Sequence, residues 1–179
     1  KDKDLINQSI KSLTNTTFGT KQENNVVQYY ESIIKKEIIT TDHFFVKELF
    51  KTKDNIWSIG GKIDGLFIDD KNQKVLLEVK NRVKKLFKSL RAYEKVQIYA
   101  YMKLLDINNA KLIECLKNDK SEYNVIDVKY EPELYKNKML NFIKSFIVFF
   151  EKMIDSNEFK IKLLTSEKPE LEKWLRESI

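Results

Sequence analysis

Two short segments, Gly61-Lys62-Ile63-Asp64-Gly65 and Leu77-Glu78-Val79-Lys80, lie on either side of a polar turn. Side chains alternate in direction along a strand, so Glu78 and Lys80 are predicted to share one face. If the turn is centred on Lys71, Asp64 lies directly opposite Glu78, and directly opposed residues have Cβ atoms about 5 Å apart. The segments therefore predict an antiparallel hairpin that brings two carboxylates and a lysine together.

This hairpin suits the chemistry of a cation and a phosphate. Asp64 and Glu78 would repel each other beside an apolar strand, and a divalent cation would relieve that repulsion because hard cations such as Mg²⁺ prefer carboxylate oxygens. A lysine next to the pair can neutralise charge that develops on a phosphate. The pattern predicts metal-assisted phosphodiester hydrolysis. The alternative is a surface hairpin with solvated charges, because this spacing also arises by chance in a lysine-rich chain.

The order of predicted elements indicates an α/β fold in one domain. An early helix is possible at residues 4–13, and Thr20 can cap the helix that follows. The further predicted elements are a helix from Lys21 to about Ile38, strands at His43–Phe50, Ile56–Ile68 and Val75–Val79, a helix at Leu90–Leu105, strands at Lys111–Leu116 and Tyr123–Lys129, and helices from Pro132 to about Ile154 and from Pro169 to Ser178.

Glu23 lies at the start of the first long predicted helix. Its spacing from Val26, Val27 and Tyr30 places it on the apolar face, where a carboxylate needs a partner. The segment Thr20-Lys21-Gln22-Glu23 also matches a capping box. Both interpretations stay open at this stage.

Gln97 and Tyr101 are predicted to share one face of the helix at Leu90–Leu105, because they are four residues apart. A buried glutamine must be hydrogen-bonded. Gln97 is either an ordinary core or surface residue, or it reaches towards Lys80, metal-bound water or nucleic acid.

The segment from Arg82 to Arg91 holds five basic residues and no acidic one. It follows the Glu78-Val79-Lys80 strand directly, at the predicted rim of the site, where phosphates would pass. A solvated face is the competing interpretation. The predicted nucleic-acid contacts are Arg82, Lys84, Lys85, Lys88 and Arg91.

Composition limits the function classes. The net charge of +6 suits a polyanionic partner. The single cysteine, Cys115, excludes an internal disulfide and a four-cysteine iron–sulfur site in this chain. We expect a reducing intracellular compartment (cytoplasm, nucleus or viral factory) and no membrane span. The chain begins with Lys1 rather than Met, so we expect a part of a longer protein.

The combined motifs resemble the PD-(D/E)XK nuclease superfamily in its RecB-like branch, which includes lambda exonuclease and YqaJ-like viral recombinase nucleases. They occur in the family's order over residues 19 to about 116, with Ile63 where the nominal proline would stand. The segment from Glu78 to Gln97 also looks like nuclease-type proteins of large DNA viruses. The matching motifs are Gly19-x-x-x-Glu23, Gly61-x-Ile63-Asp64, Glu78-Val79-Lys80 and Gln97-x-x-x-Tyr101.

The resemblance implies a restriction-endonuclease-like mixed sheet flanked by helices. It implies that Asp64, Glu78 and the Val79 carbonyl hold Mg²⁺ or Mn²⁺, with Glu23 completing the site directly or through water. Lys80 would position the attacking water, while Gln97 and Tyr101 would organise the site.

The expected activity is hydrolysis of DNA by an exonuclease or flap-processing enzyme of recombination, repair or replication. The alternatives are a site-specific or RNA-cleaving endonuclease of the same fold, and a catalytically inactive nucleic-acid-binding relic. The expected single domain spans 1–179, with the motifs in 19–130 and C-terminal helices in 131–179.

Overall fold

The computed structural model describes residues 23–116 and 119–178. The predicted helix at residues 4–13 and the predicted cap at Thr20 lie outside these ranges. The chain forms two compact units, which meet in sequence between Tyr130 and Glu131. This boundary coincides with the predicted end of the motif region, while the assignment of both parts to one domain stays a prediction. No helix in the described ranges has the length and apolar character needed to cross a membrane.

The first unit is a mixed α/β structure, as predicted. Helix α1 covers residues 23–34, and helix α2 spans Ala92–Leu105. A two-stranded antiparallel sheet pairs β1 with β2, and a four-stranded sheet has the order β3-β4-β5-β6, in which only β4 and β5 are parallel. The strands are β1 (Phe45–Lys51), β2 (Ile56–Gly61), β3 (Gly65–Ile68), β4 (Lys74–Arg82), β5 (Asn109–Leu116) and β6 (Asp119–Lys129).

The predicted strand at Ile56–Ile68 is wrong as one element. It is divided into β2 and β3, which belong to different sheets, and only β3 pairs with β4. The intervening residues 62–64 turn the chain out of one sheet and into the other. The predicted register of the hairpin is confirmed, because Gly65 pairs with Leu77 and Ile68 with Lys74. Continued by one residue, this register sets Asp64 against Glu78.

Strand β4 is covered on both faces, which explains its continuous apolar run. Its residues Val75, Leu77 and Val79 pack in a core cluster with Val26 and Val27 of α1. Because side chains alternate, Glu78 and Lys80 point to the opposite face, where Lys80 meets α2. The two helices thus flank the sheet, and the site residues of β4 lie on the side of α2.

The second unit is helical. Its elements are α3 (Pro132–Leu134), a π-helical segment (Tyr135–Leu140), α4 (Asn141–Asp155), α5 (Asn157–Thr165) and α6 (Lys168–Ser178). The rings of Phe149, Phe159 and Trp174 pack together, with centroids 5.4–6.4 Å apart. Helix α5 was not predicted from the sequence, because its apolar residues show only a weak helical periodicity. The final helix was predicted within one residue of its observed start.

Candidate active site

Asp64 and Glu78 are held on adjacent segments by short hydrogen bonds. Asp64 precedes β3, and its Oδ2 accepts a hydrogen bond from the backbone N–H of Val79 at 2.7 Å. Glu78 is only 2% exposed, and its Oε1 accepts a hydrogen bond from Lys80 Nζ at 2.6 Å. The hairpin therefore orients the two carboxylates and one ammonium group in a single region.

The second carboxylate oxygen of Glu78, Oε2, is buried and has no hydrogen-bond partner among the described residues. Burial raises the pKa of Glu78 to about 7, and the nearby Asp64 and Glu23 carboxylates act in the same direction against Lys80. A buried carboxylate oxygen without a partner is costly. Within the described residues, no cationic group therefore forms a hydrogen bond with Glu78 Oε2.

Asp64 and Glu23 share the same electrostatic environment. Burial raises the pKa of Asp64, although the Val79 N–H and Lys80 oppose the shift. Burial also raises the pKa of Glu23, and Asp64 adds to the effect. Burial disfavours the charged form of Lys80, but Glu78 and Asp64 outweigh it and raise its pKa. Glu94 adds to this effect, so four acidic groups interact with one lysine that stays charged.

Lys80 is connected to α2 through a short chain of hydrogen bonds. Its Nζ donates to Gln97 Oε1 at 3.0 Å, and Gln97 Nε2 donates to Tyr101 Oη at 3.4 Å. The Tyr101 ring packs on Gly61, where an added Cβ would collide with the ring. The interpretation of Gln97 as a partner of Lys80 therefore agrees with the structure.

A cleft of about 470 Å³ opens beside Asp64. Glu23 lines it together with Asp64, so this carboxylate faces the site. Lys62 and Ile63 of the predicted hairpin also line this cleft. The remaining lining residues carried no signal in the sequence and are Asn24, Thr40, Thr41 and Asp42.

The chain is similar in fold to an alkaline exonuclease. That protein is LHK-Exo from Laribacter hongkongensis, with a TM-score of 0.60 and 14% identity over 84% of this chain and 75% of the exonuclease. Its complex with dAMP matches with a TM-score of 0.59 and 15% identity over 82% and 73% of the two chains.

A further solved structure, SSO0001, matches with a TM-score of 0.52 and 13% identity. The match covers 78% of this chain but 65% of SSO0001, slightly under two thirds of its length. No family model and no curated protein matches the sequence. The structural matches confirm the predicted mixed sheet flanked by helices, and at these identities they show the fold alone.

The chemistry of Asp64 and Glu78 fits a divalent cation, because hard cations prefer carboxylate oxygens. Within residues 23–116 and 119–178, no group of three His, Cys, Asp or Glu side chains is arranged to hold a metal. The predicted role of Glu23, which completes the site directly or through water, stays a prediction. Asp64, the Val79 carbonyl and Glu78 Oε2, which is unpaired within the described residues, suit Mg²⁺, which binds through one or two carboxylates and keeps several waters.

The predicted basic surface is present, with one correction. Lys84, Lys85, Lys88 and Arg91 are exposed on the basic loop, which we define as residues 83–91. Arg82, in contrast, is 8% exposed and forms ion pairs with two buried glutamates. This burial is at odds with the predicted nucleic-acid contact of Arg82, while the roles of the exposed four stay predictions.

Proposed function

We propose that this chain is a metal-dependent nuclease of the PD-(D/E)XK type that hydrolyses phosphodiester bonds in DNA. The observation that carries the proposal is the buried Glu78 Oε2 beside Asp64 and Lys80, which has no hydrogen-bond partner among the residues that the structure describes. A buried oxygen without a partner is costly in a purely structural salt bridge, whereas a bound cation would supply the missing partner. The fold shared with an alkaline exonuclease supports the proposal independently.

Each residue then has a chemical role. Asp64, Glu78 and the Val79 carbonyl would hold Mg²⁺ or Mn²⁺, which would polarise the phosphate and lower the pKa of a bound water. Lys80 is anchored by Glu78 and Gln97, so its charged ammonium is in place to orient a water or stabilise developing negative charge. Tyr101 supports Gln97, and Glu23 adds negative charge at the cleft.

We favour an exonuclease or flap-processing role in recombination, repair or replication over cutting within a strand. The support is the likeness to LHK-Exo, an alkaline exonuclease whose structure is also known in complex with dAMP. RNA cleavage is the second candidate activity. A catalytically inactive relic is disfavoured because Asp64, Glu78 and Lys80 are not merely present but brought together.

The decisive experiment compares the native chain with Asp64→Asn. We expect the native chain to cut end-labelled linear DNA with Mg²⁺ or Mn²⁺ and not with EDTA. Asp64→Asn should lose cleavage but keep or gain DNA affinity in Ca²⁺, because it removes a negative charge that faces the phosphates. Calcium should support binding with little turnover, since its looser geometry positions water poorly.

The matched control is Asp70→Asn at the opposite end of the same hairpin, where the side chain is 93% exposed. This variant should cut DNA like the native chain. Cleavage by Asp64→Asn at the native rate would remove the proposed site. A native chain that cuts neither DNA nor RNA with any metal would make the inactive relic the better account.

A further inference from the structure

The last residue of β4, Arg82, is the centre of a buried ion network. Its Nη2 lies 2.6 Å from Glu94 on α2 and 2.7 Å from Glu114 on β5. Its Nε also donates to Glu114 Oε1 at 2.8 Å. Both glutamates are fully buried. The network thus joins the strand that carries Glu78 and Lys80 to a second strand and to the helix that carries Gln97.

The same two glutamates hold the backbone of the basic loop. Glu114 accepts hydrogen bonds from the N–H of Lys88 at 2.8 Å and of Phe87 at 3.3 Å. Glu94 accepts one from the N–H of Arg91 at 3.2 Å. Lys88 has a φ of 55°, a left-handed conformation that is uncommon for a lysine. The Glu114 contact therefore holds the loop in a shape that its sequence does not favour.

Phe87 connects the buried network to the surface. The Arg82 guanidinium lies 4.5 Å from the centre of the Phe87 ring, and the Arg91 guanidinium lies 3.3 Å from it. Arg91 is exposed, so its packing on Phe87 restricts the side chain but leaves it accessible to a ligand. The loop therefore presents cations from an ordered backbone although it contains no helix.

The charge balance argues that this network does more than stabilise the fold. It buries two acidic groups against one arginine. Replacing buried ion pairs with apolar residues is often neutral or stabilising, so such a network is weak evidence for stability by itself. Its contacts converge on the loop that carries Lys84, Lys85, Lys88 and Arg91. This convergence indicates a task at the surface.

We propose that Arg82, Glu94 and Glu114 are positioning residues that preorganise the basic loop for the phosphates of a nucleic-acid strand. The choice of partner rests on the proposed function, whereas the ordering of the loop does not. Binding then avoids the cost of ordering the loop backbone and the Arg91 side chain, a gain on the order of tenfold in affinity.

This proposal separates two effects on binding. Without the network, the loop cations can still reach phosphates, but they must be ordered first. Affinity should then fall about tenfold while its salt dependence stays nearly constant. Removing Lys88 and Arg91 themselves should instead reduce the salt slope by about 0.9 for each lost phosphate contact with duplex DNA.

The test uses Glu114→Gln and the shape-preserving triple variant Arg82→Met, Glu94→Gln, Glu114→Gln. The first measurement is the exchange of the Phe87 and Lys88 amide hydrogens, with Val79 in β4 as the internal reference. The second is DNA affinity at several salt concentrations in Ca²⁺. We expect amide hydrogen exchange to become faster at Phe87 and Lys88 but not at Val79. DNA affinity should fall about tenfold, and the slope of its salt dependence should not change. Asp127→Asn, which breaks a Lys111 ion pair elsewhere in the sheet, should change none of these.

The proposal would be overturned if a folded variant showed unchanged amide hydrogen exchange at Phe87 and Lys88, or unchanged DNA affinity. A slope that falls as in the Lys88→Ala, Arg91→Ala variant would also overturn it, since Arg82 would then contact phosphates itself. If the triple variant unfolds, Glu114→Gln decides, because it keeps the side-chain shape and one acceptor oxygen. Loss of the proposed nuclease activity would appear in the cleavage assay and leave the exchange result unaffected.

Discussion

Glu78 has the environment that most constrains the chemistry of this chain. Its carboxylate is buried between Asp64 and Lys80, and only one of its oxygens is paired within the described residues. Such an arrangement is unfavourable for a metal-free protein at neutral pH, because burial opposes the charged form. We interpret this unfavourable burial of a carboxylate as a feature of a cation site. It leads to two predictions for single residues.

The first prediction concerns stability against pH. Burial raises the pKa of Glu78 from 4.5 to about 7, so the folded chain holds this proton more tightly than the unfolded chain. The metal-free protein should therefore lose stability as pH rises through this window, by at most about 3 kcal/mol. Urea unfolding in EDTA at pH 5 and pH 8 measures the effect.

Glu78→Gln should remove much of this pH dependence and be at least as stable as the native chain at pH 8. Glu37→Gln, at an exposed position, serves as the control and should keep the native profile. Equal pH dependence in the Glu78 variant and the native chain would contradict the assigned environment.

The second prediction concerns Lys80. Lys80→Ala should reduce the cleavage rate by at least about 100-fold, because the developing charge loses the ammonium group of the site. It should also weaken DNA binding slightly, opposite to the effect of Asp64→Asn, because the charge removed has the opposite sign. Single-turnover cleavage and a binding titration in Ca²⁺ measure both, with Lys71→Ala in the exposed hairpin turn as control.

Individual elements are brought to the site by close packing as well as by charge. Helix α2 approaches β2 through Tyr101, whose ring takes the space that a side chain at residue 61 would need. Because Tyr101 contacts Gln97 and Gln97 contacts Lys80, the helix position controls the lysine position. The glycine thus affects the site without carrying any chemistry.

Gly61→Ala should therefore displace Tyr101, costing about 1–3 kcal/mol of stability, and should lower the cleavage rate. Gly60→Ala is the neighbouring control, since its new Cβ would meet the ring of Phe44, which is 55% exposed, and the Phe45 carbonyl oxygen instead of a residue of α2. Chemical denaturation and cleavage assays compare the two variants. Equal effects at both positions would argue against the role assigned to the α2 contact.

The basic loop is the second element with a measurable task. Replacing Lys84, Lys85, Lys88 and Arg91 with Ala should weaken DNA binding and flatten its salt dependence, by about 0.9 units of slope for each lost contact. Removing the exposed Lys136, Lys138, Lys152 and Lys160 of the second unit provides a control of similar net charge. An unchanged slope in the loop variant would mean that the loop is only a solvated surface.

The whole molecule combines an exonuclease-like fold with an open cleft beside the acidic site. If the chain acts at strand ends, it should degrade linear DNA and leave covalently closed circular DNA intact. End-labelled linear DNA, circular DNA and single-stranded RNA of matched length distinguish the possibilities. Rapid cutting of the circle would favour an endonuclease, and preference for the RNA would favour the second candidate activity.

Local patterns were sufficient to predict the hairpin register and the meeting of Asp64, Glu78 and Lys80, because strand alternation and turn symmetry depend only on nearby residues. The tertiary structure alone divided the segment Ile56–Ile68 between two sheets and buried Arg82. Both outcomes depend on distant partners. Tyr101 approaches the chain at Gly61, and the acidic partner Glu114 lies 32 positions from Arg82. A local charge run cannot show which of its members such a partner will bury, and so Arg82 was grouped with the exposed cations.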